Sequence, residues 1–299
     1  MTSGKRILLP VKRPFRLDFT SDALRRLAAN AVDVVAPDGT YYRAFEDASG
    51  AALLAVRQYD ETSIEVRTSG RRAERFVAVA ARMLGTQVDL NAWYERSARI
   101  EWLHRLAKRF AGVKPPRYAS LWEACAHAIV FQQISIHAAG AIMRRAIEAL
   151  GNPVERAGVR CIPFPGPRYW LDAPEDVLRA SGLSRNKIEH LRSAAAAFAG
   201  GTIDAAAIEA LPTPEAAQAL TAVRGVGPWS AAVILLRGLG RLDTFPMRDS
   251  GVARSLAVLA GGAVDLDFVL EVLGPVRGML YYHLLLGRIH QHFADPPRL

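Results

Sequence analysis

The most informative side chain for chemistry in this sequence is a carboxylate. Asp249 opens an apolar segment, Asp249–Ala260, whose composition predicts a helix. An aspartate at that place can cap the helix through a side-chain oxygen. A carboxylate close to a reacting centre can also stabilise a developing positive charge or deprotonate a water molecule. The two roles are compatible, and Asp243 is the second candidate, with a structural role and a pairing with Arg248 as its alternative.

Amine and metal chemistry have little support in this sequence. Only five of the 38 Lys and Arg residues are lysines, and none follows Lys187. Arginine binds phosphate through two donors at once but is not a practical nucleophile. The two cysteines, Cys125 and Cys161, are too few for a four-cysteine zinc site or iron–sulfur cluster. We therefore expect no Schiff-base nucleophile near Asp249, no catalytic metal and no cofactor.

The segment that must position Asp249 comes shortly before it. Leu220–Gly227 ends in Gly-Val-Gly, and Pro228 then opens a strongly apolar predicted helix. Two glycines allow a tight turn and a close approach of the backbone to a bulky ligand. Amides at the start of the next helix can bind an anion. This pattern suits a DNA phosphate without base preference, although an ordinary turn between two helices is the alternative.

The sequence around this turn resembles the helix-hairpin-helix (HhH-GPD) DNA glycosylase superfamily. VRGVGPWSA at 223–231 is followed by DTFPMRDSGV at 243–252, so Asp249 lies 22 residues after Gly227, where that family has its aspartate. Further similar segments are IVFQQIS at 129–135, FPGPRYW at 164–170 and GLSRNKIEHL at 182–191. The resemblance covers roughly 114–256 and is greatest to the alkylated-base branch, the DNA-3-methyladenine glycosylase II type.

The resemblance implies a reaction and a substrate. Bifunctional members have a lysine where this chain has Trp229, which implies a monofunctional hydrolase of the N-glycosidic bond in base-excision repair. Asp249 would then stabilise the sugar cation and activate water. Aromatic side chains attract electron-poor alkylated purines. The predicted base pocket consists of Trp229, Phe131, Tyr169 and Trp170, with Tyr281 and Tyr282 as weaker candidates, and a core position is the alternative for Trp229.

The resemblance also implies how DNA is held. Gln133 falls at the position of the wedge that fills the gap left by a flipped base, with an exposed helix end as the alternative. The predicted backbone-binding residues are Arg224, Gly225, Val226, Gly227, Arg185 and Lys187. A monovalent cation on the carbonyl oxygens of Thr221, Val223 and Val226 is a further possibility. Ser250 and Val233 depart from the aromatic residues of some members, which leaves the preferred base open.

The surrounding elements predict an α+β protein. A small β-rich α+β domain over 1–88 precedes a mostly helical HhH-GPD glycosylase region over 89–299, with two helical subdomains flanking a DNA-binding cleft and the hairpin at 220–237. The predicted strands are 31–35, 41–45, 52–59 and 63–68. The main predicted helices are 21–29, 71–83, 90–110, 120–131, 135–150, 184–199, 213–222, 228–237, 249–260, 265–273 and 278–293.

The charge of the chain indicates its partner. A formal net charge of +9 favours a polyanion, and nucleic acid is the first choice. We expect a monomer that binds double-stranded DNA containing a damaged base, with no membrane partner and a cytoplasmic, nucleoid-associated location. Two alternatives remain at this point. One is a glycosylase for oxidised or deaminated bases, and the other is a non-catalytic helix-hairpin-helix DNA-binding protein.

Overall fold

The computed structural model describes residues 5–27, 30–48, 50–70, 72–156 and 158–290. Its N-terminal part is an antiparallel sheet with the strand order β1-β5-β4-β3-β2. The elements of this part are β1 (Arg6–Pro10), α1 (Leu17–Arg25), β2 (Asp33–Val35), β3 (Tyr41–Asp47), β4 (Gly50–Gln58) and β5 (Ser63–Gly70). The four predicted strands are confirmed as β2 to β5. The edge strand β1 was missed because Ile7 and Leu9 pack against the first core while the exposed residue between them, Leu8, is also apolar, so the sequence does not alternate.

The rest of the described chain is mostly helical and includes a small β-hairpin. A 3₁₀ turn at Ala73–Phe76 precedes the first of these helices, and a π-helical turn at Leu235–Leu239 extends α12. The elements are α2 (Val77–Met83), α3 (Asn91–Ser97), α4 (Glu101–Arg109), α5 (Leu121–Phe131), α6 (Ile136–Leu150), β6 (Val154–Arg156), β7 (Val159–Cys161), α7 (Pro167–Asp172), α8 (Glu175–Ala180), α9 (Arg185–Ala199), α10 (Ala205–Ala210), α11 (Thr213–Thr221), α12 (Pro228–Ile234), α13 (Ser250–Ala260), α14 (Leu266–Leu273) and α15 (Gly278–His290).

Serine caps explain why several helix starts were predicted well. The hydroxyl oxygens of Ser120, Ser135 and Ser184 accept backbone N–H groups in the first turns of α5, α6 and α9. The single helix predicted over 90–110 is wrong, because Ile100 is extended and separates α3 from α4. The predicted helices 21–29, 71–83 and 278–293 each include residues outside the described ones. Within the described residues, no helix is both long and apolar enough to cross a membrane.

Two hydrophobic cores divide the helices. The first lies between the sheet and the group of α5, α6, α9, α11 and α12. The second is formed by α3, α4, α13, α14 and α15. This division agrees with the predicted pair of helical subdomains. The boundary at residue 88 stays a prediction, and α1 contributes Leu24 to the first core and Ala23 to the second.

A buried ion-pair network joins the sheet to α5. The Arg43 guanidinium contacts Asp33 Oδ1 at 2.7 Å and Glu123 Oε2 at 2.6 Å, and all three side chains are almost fully buried. Burial raises the pKa of Glu123, while the charge of Arg43 opposes that rise. Because a buried charge is tolerated only with partners of this kind, the network fixes α5 on the sheet. It thereby sets where the C-terminal end of α5 lies.

Candidate active site at the helical hairpin

The turn between α11 and α12 is built on two glycines with different roles. Gly225 has φ +88°, and a Cβ atom there would lie 2.4 Å from His190 Cγ. Gly225 is therefore required by the fold itself. Gly227 has φ −91° and ψ −179°, and a Cβ atom there would meet no atom within 4 Å. The backbone at Gly227 thus faces open space, whereas Val226 is buried beneath the turn.

Asp249 is held by three hydrogen-bond donors. It caps α13, because its Oδ1 accepts the N–H groups of Gly251 at 2.8 Å and Val252 at 3.0 Å. Its Oδ2 accepts the indole Nε1–H of Trp229 at 3.0 Å. The capping role is confirmed by this geometry. A half-buried carboxylate with both oxygens engaged has a fixed orientation, which is what charge stabilisation at one point requires.

The donor Trp229 occupies the first turn of α12 and packs against the edge of the first core. It was predicted as an aromatic wall of a base pocket. The structure shows in addition that its indole Nε1–H orients Asp249, a role that the sequence did not suggest. Since the ring remains half-buried, contact between its face and a base stays a prediction.

The C-terminal end of α5 is bound directly to the hairpin. Gln132 Nε2 donates to the carbonyl oxygen of Gly225 at 2.8 Å and to Ser230 Oγ at 2.6 Å. Gln133 is exposed and has φ +58°, a left-handed conformation that is unfavourable for this residue type. The structure therefore places Gln133 at an exposed point beside the hairpin, as a wedge requires. Gln132 and Ser230 were missed, although the paired glutamines before Ser135 were visible in the sequence.

The three predicted cationic contacts differ in their surroundings. Arg185 is exposed at the start of α9, and Arg224 is exposed and contacts Glu189 at 2.9 Å. Lys187 Nζ donates to the carbonyl oxygens of Val130 and Gln132, and burial lowers the pKa of this amine. Two of the three N–H donors of its ammonium group are thus taken up by carbonyls at the end of α5. A phosphate contact of Lys187 through the third donor stays a prediction.

Two of the predicted pocket aromatics lie elsewhere. Trp170 is fully buried in the first core, and its Nε1–H donates to the Pro165 carbonyl at 3.2 Å, so it has no face to offer a base. We therefore remove Trp170 from the pocket. Tyr169 is exposed, and its hydroxyl bonds Glu46 Oε2 at 3.3 Å at the end of β3. The other two predicted wall residues lie at the hairpin. Phe131 directly precedes Gln132, which contacts Gly225, and Trp229 lies in the first turn of α12.

The C-terminal helix brings a further cation to this region. Arg288 on α15 is half-buried, and its Nη1 lies 2.8 Å from the position that a Cβ of Gly251 would occupy. Asp249 Oδ1 lies 3.1 Å from that same position. The Arg288 guanidinium and the Asp249 carboxylate that caps α13 therefore lie on the same side of the Gly251 Cα. Arg288 was missed because it lies far from the recognisable motif in the sequence.

The ion-binding potential of the hairpin rests on backbone oxygens. The Val223 carbonyl accepts the Val226 N–H at 3.0 Å, which leaves it a second lone pair. The free lone pair is compatible with a monovalent cation at the hairpin. Binding of this cation by the carbonyl oxygens of Thr221, Val223 and Val226 stays a prediction. Among the described side chains there is no group of three or more His, Cys, Asp and Glu residues that could hold a metal ion.

Comparisons with known proteins find relatives of part of this chain. Residues 126–263 match the family model described as HhH-GPD superfamily base excision DNA repair protein. The DNA-3-methyladenine glycosylase of Bacillus subtilis is 26% identical over 179 residues, covering 57% of this chain and 56% of the relative. The chain spans about half the length of the first curated relatives it matches.

Solved structures show the same fold. The 3-methyladenine DNA glycosylase from Archaeoglobus fulgidus has a TM-score of 0.80 at 24% identity, covering 97% of this chain and 99% of that one. The 3-methyladenine DNA glycosylase of Schizosaccharomyces pombe, solved in complex with abasic DNA, has a TM-score of 0.55 at 27% identity and covers 69% of this chain and 99% of that one.

Proposed function

We propose that this chain is a member of the HhH-GPD superfamily, whose family model matches residues 126–263, and that it is a monofunctional DNA glycosylase that removes alkylated bases from double-stranded DNA. The observation that carries the proposal is the orientation of Asp249 by Trp229 beside the hairpin. Relatives named DNA-3-methyladenine glycosylase support the substrate class. The net charge of +9 supports DNA as the partner.

The reaction we propose is hydrolysis with a charged sugar intermediate. The bond between the sugar C1′ and the base nitrogen breaks, and its electron pair leaves with the base. Asp249 stabilises the positive charge that develops on the deoxyribose. A water molecule then adds to C1′ and gives its proton to the carboxylate, which leaves an abasic site and a free base. Oδ2 retains a lone pair for this purpose, because the described residues give it one donor, the indole N–H of Trp229.

The proposal that there is no lyase step rests on where the lysine amines of the chain lie. A Schiff base needs a free amine near C1′. The position after Pro228 is Trp229, and Lys187 is the last lysine of the sequence. Its amine is bound to the carbonyls at the end of α5. We therefore propose hydrolysis alone, with strand scission only after later treatment of the abasic site.

Binding of DNA in this proposal uses the exposed features around the turn. The open backbone at Gly227 would receive a phosphate, with Arg185 and Arg224 beside it. Gln133 would enter the duplex at the place of the flipped nucleotide. We propose that the chain acts as a monomer without a cofactor, with a monovalent cation at the hairpin as an optional addition.

A panel of duplex oligonucleotides tests this function. Each duplex carries one alkylated, oxidised or deaminated base, and released bases are identified by mass spectrometry. We expect release of 3-methyladenine or 7-methylguanine, with strands cut only after alkali or heat. Release confined to oxidised or deaminated bases would contradict the alkylated-base assignment. Strand cleavage without treatment would contradict hydrolysis alone. Tight DNA binding with no release would instead identify a non-catalytic binding protein.

A further inference from the structure

Arg248 directly precedes the carboxylate of the candidate site and has an unusual backbone. Its φ is +59°, in the left-handed region that residues with a side chain rarely adopt. The next residue, Asp249, has φ −75° and caps α13. The side chain of Arg248 is exposed. Because strained backbone of this kind is concentrated at functional sites, its place beside Asp249 calls for a functional explanation.

Two exposed residues with left-handed backbone lie beside the first turn of α12. The residue before Gln133 bonds Ser230 at 2.6 Å, and the residue after Arg248 bonds Trp229 at 3.0 Å. Trp229 and Ser230 are consecutive, so Gln133 with φ +58° and Arg248 with φ +59° are neighbours of the same helical turn. Gln133 is the proposed wedge. Arg248 therefore belongs to the surface on which the proposed function places the flipped nucleotide.

The guanidinium of Arg248 has no anionic partner within the described residues. The pairing with Asp243 considered from the sequence is not formed, since no carboxylate oxygen there lies within 4.0 Å of the guanidinium. The adjacent Asp249 instead accepts N–H groups from α13 and from an indole. By contrast, the exposed Arg57 is paired with Asp38 at 2.9 Å. All five N–H donors of Arg248 are therefore available to a ligand.

The fold does not require an arginine at this position. The Arg248 side chain makes no hydrogen bond, ion pair or ring contact with the described residues. Glycine adopts φ +59° without steric cost, so a glycine would form the same turn with less strain. An arginine in this turn therefore lowers stability. What it adds is a cation with a planar fork of donors next to Asp249.

The place of Arg248 in the chain determines which part of DNA it can reach. In the proposed reaction, Asp249 lies at C1′ of the flipped nucleotide. Consecutive Cα atoms are about 3.8 Å apart, so the Arg248 side chain starts one residue away from that sugar. The anionic groups nearest to C1′ are the two phosphates bonded to the same sugar. A guanidinium binds a phosphate through two parallel hydrogen bonds, which fixes the orientation of the bound strand.

We propose that Arg248 binds a phosphate of the damaged strand that is bonded to the sugar of the flipped nucleotide, and that this contact is separate from the phosphate at Gly227. This proposal rests on the proposed function, because it takes the flipped sugar to lie at Asp249. Gly227 lies two residues before Trp229, at the indole end of the bond to Asp249, whereas Arg248 lies at its carboxylate end. Two phosphate contacts hold the strand while a nucleotide rotates out of the duplex.

Arg248→Gly and Arg72→Gly form a matched pair of variants for the test. Both residues are exposed arginines with left-handed backbone, at φ +59° and φ +51°, and Arg72 lies at the 3₁₀ turn that follows the sheet. Each substitution removes one positive charge and relieves the backbone, so both melting temperatures should equal or exceed the wild-type value. A difference in DNA binding between the two variants therefore comes from where the charge lies.

The salt dependence of binding reports the number of phosphate contacts. The Kd for a duplex with a stable abasic-site analogue is measured by fluorescence anisotropy at several KCl concentrations. Loss of one phosphate contact lowers the slope of log Kd against log [KCl] by about 0.9. We expect this decrease for Arg248→Gly, with a Kd about three- to tenfold higher, and wild-type values for Arg72→Gly. A wild-type slope and Kd in Arg248→Gly would overturn the proposal.

A neutral linkage in the DNA then identifies the phosphate. A single methylphosphonate is placed on either side of the abasic nucleotide, or in the opposite strand as a control. One flanking linkage should raise the wild-type Kd about three- to tenfold and leave that of Arg248→Gly unchanged. Equal effects in both proteins, with base release intact, would overturn the Arg248 contact and leave the glycosylase function standing. If the wild type releases no base but the linkage effect depends on Arg248, the glycosylase function fails and the phosphate contact stands.

Discussion

The indole Nε1 of Trp229 donates to the carboxylate Oδ2 of Asp249 at 3.0 Å. This bond connects the first turn of α12 to the first residue before α13, and so links the two helical groups across the loop between them. In the bifunctional proteins that this motif resembles, the position of Trp229 holds a lysine. Here the same place supplies a hydrogen-bond donor that orients the carboxylate, which is consistent with hydrolysis by water alone.

Asp249→Asn tests the carboxylate directly. Asparagine is as good a helix cap as aspartate, so we expect a loss of less than about 1 kcal/mol in the free energy of unfolding. The charge is removed, and an amide nitrogen in place of Oδ2 can no longer accept the Trp229 indole N–H, so base release should slow by about 10²- to 10³-fold in single-turnover assays. Asp265→Asn is the matched control, because Asp265 caps α14 by accepting the Phe268 N–H at 3.0 Å. Equal rates for Asp249→Asn and wild type would remove Asp249 from the mechanism.

Trp229→Phe tests orientation apart from charge. The variant keeps an aromatic ring but loses the N–H that Asp249 accepts. We expect the rate of base release to fall about tenfold, since a hydrogen bond to a charged group is lost. Affinity for undamaged duplex DNA, measured by fluorescence anisotropy, should not change. Trp102→Phe on α4 serves as the control substitution. A rate within twofold of wild type would mean that the indole bond has no part in catalysis.

The motif was sufficient to place the hairpin and Asp249, because both are local in sequence. The contacts that complete the site are not local. Gln132 reaches Gly225 and Ser230, and Arg288 reaches the start of α13, only after the helices have packed. Residue type also failed to distinguish a core tryptophan from a pocket tryptophan, which is why Trp170 was misplaced.

The fold shows the same division between local and tertiary information. Strands β2 to β5 were recognisable from short apolar runs bounded by turn residues. The six-residue helices α7, α8 and α10 were missed because they are too short to show a helical period. The hairpin of β6 and β7 was missed for a related reason, since each strand has three residues. These elements are stabilised by packing rather than by their own sequence pattern.

Gln133→Gly separates the wedge from an ordinary exposed residue. Glycine adopts φ +58° readily, so the backbone strain at this position is relieved, and we expect the free energy of unfolding to stay equal or rise by up to about 1 kcal/mol. Base release should fall about tenfold because no side chain fills the gap in the duplex. Arg72→Gly is the control, since Arg72 has φ +51° and is exposed away from the hairpin. Unchanged base release in Gln133→Gly would contradict the wedge role.

Alanine substitutions at the two hairpin glycines distinguish an effect on stability from an effect on DNA binding. Gly225→Ala must displace His190 and strain a backbone with φ +88°, so we expect a loss of about 1–3 kcal/mol in the free energy of unfolding. Gly227→Ala meets no atom within 4 Å and has a negative φ, so chemical denaturation should give the wild-type stability within about 0.5 kcal/mol.

Binding to a duplex with an abasic site, followed by fluorescence anisotropy, is then decisive for Gly227. If a phosphate approaches this backbone, the added methyl group stands between the two, and we expect the Kd of Gly227→Ala to rise about tenfold. The hydrogen bonds within the protein are unchanged, so the loss can only come from the approach of the ligand. A wild-type Kd for Gly227→Ala would place the phosphate at another part of the hairpin.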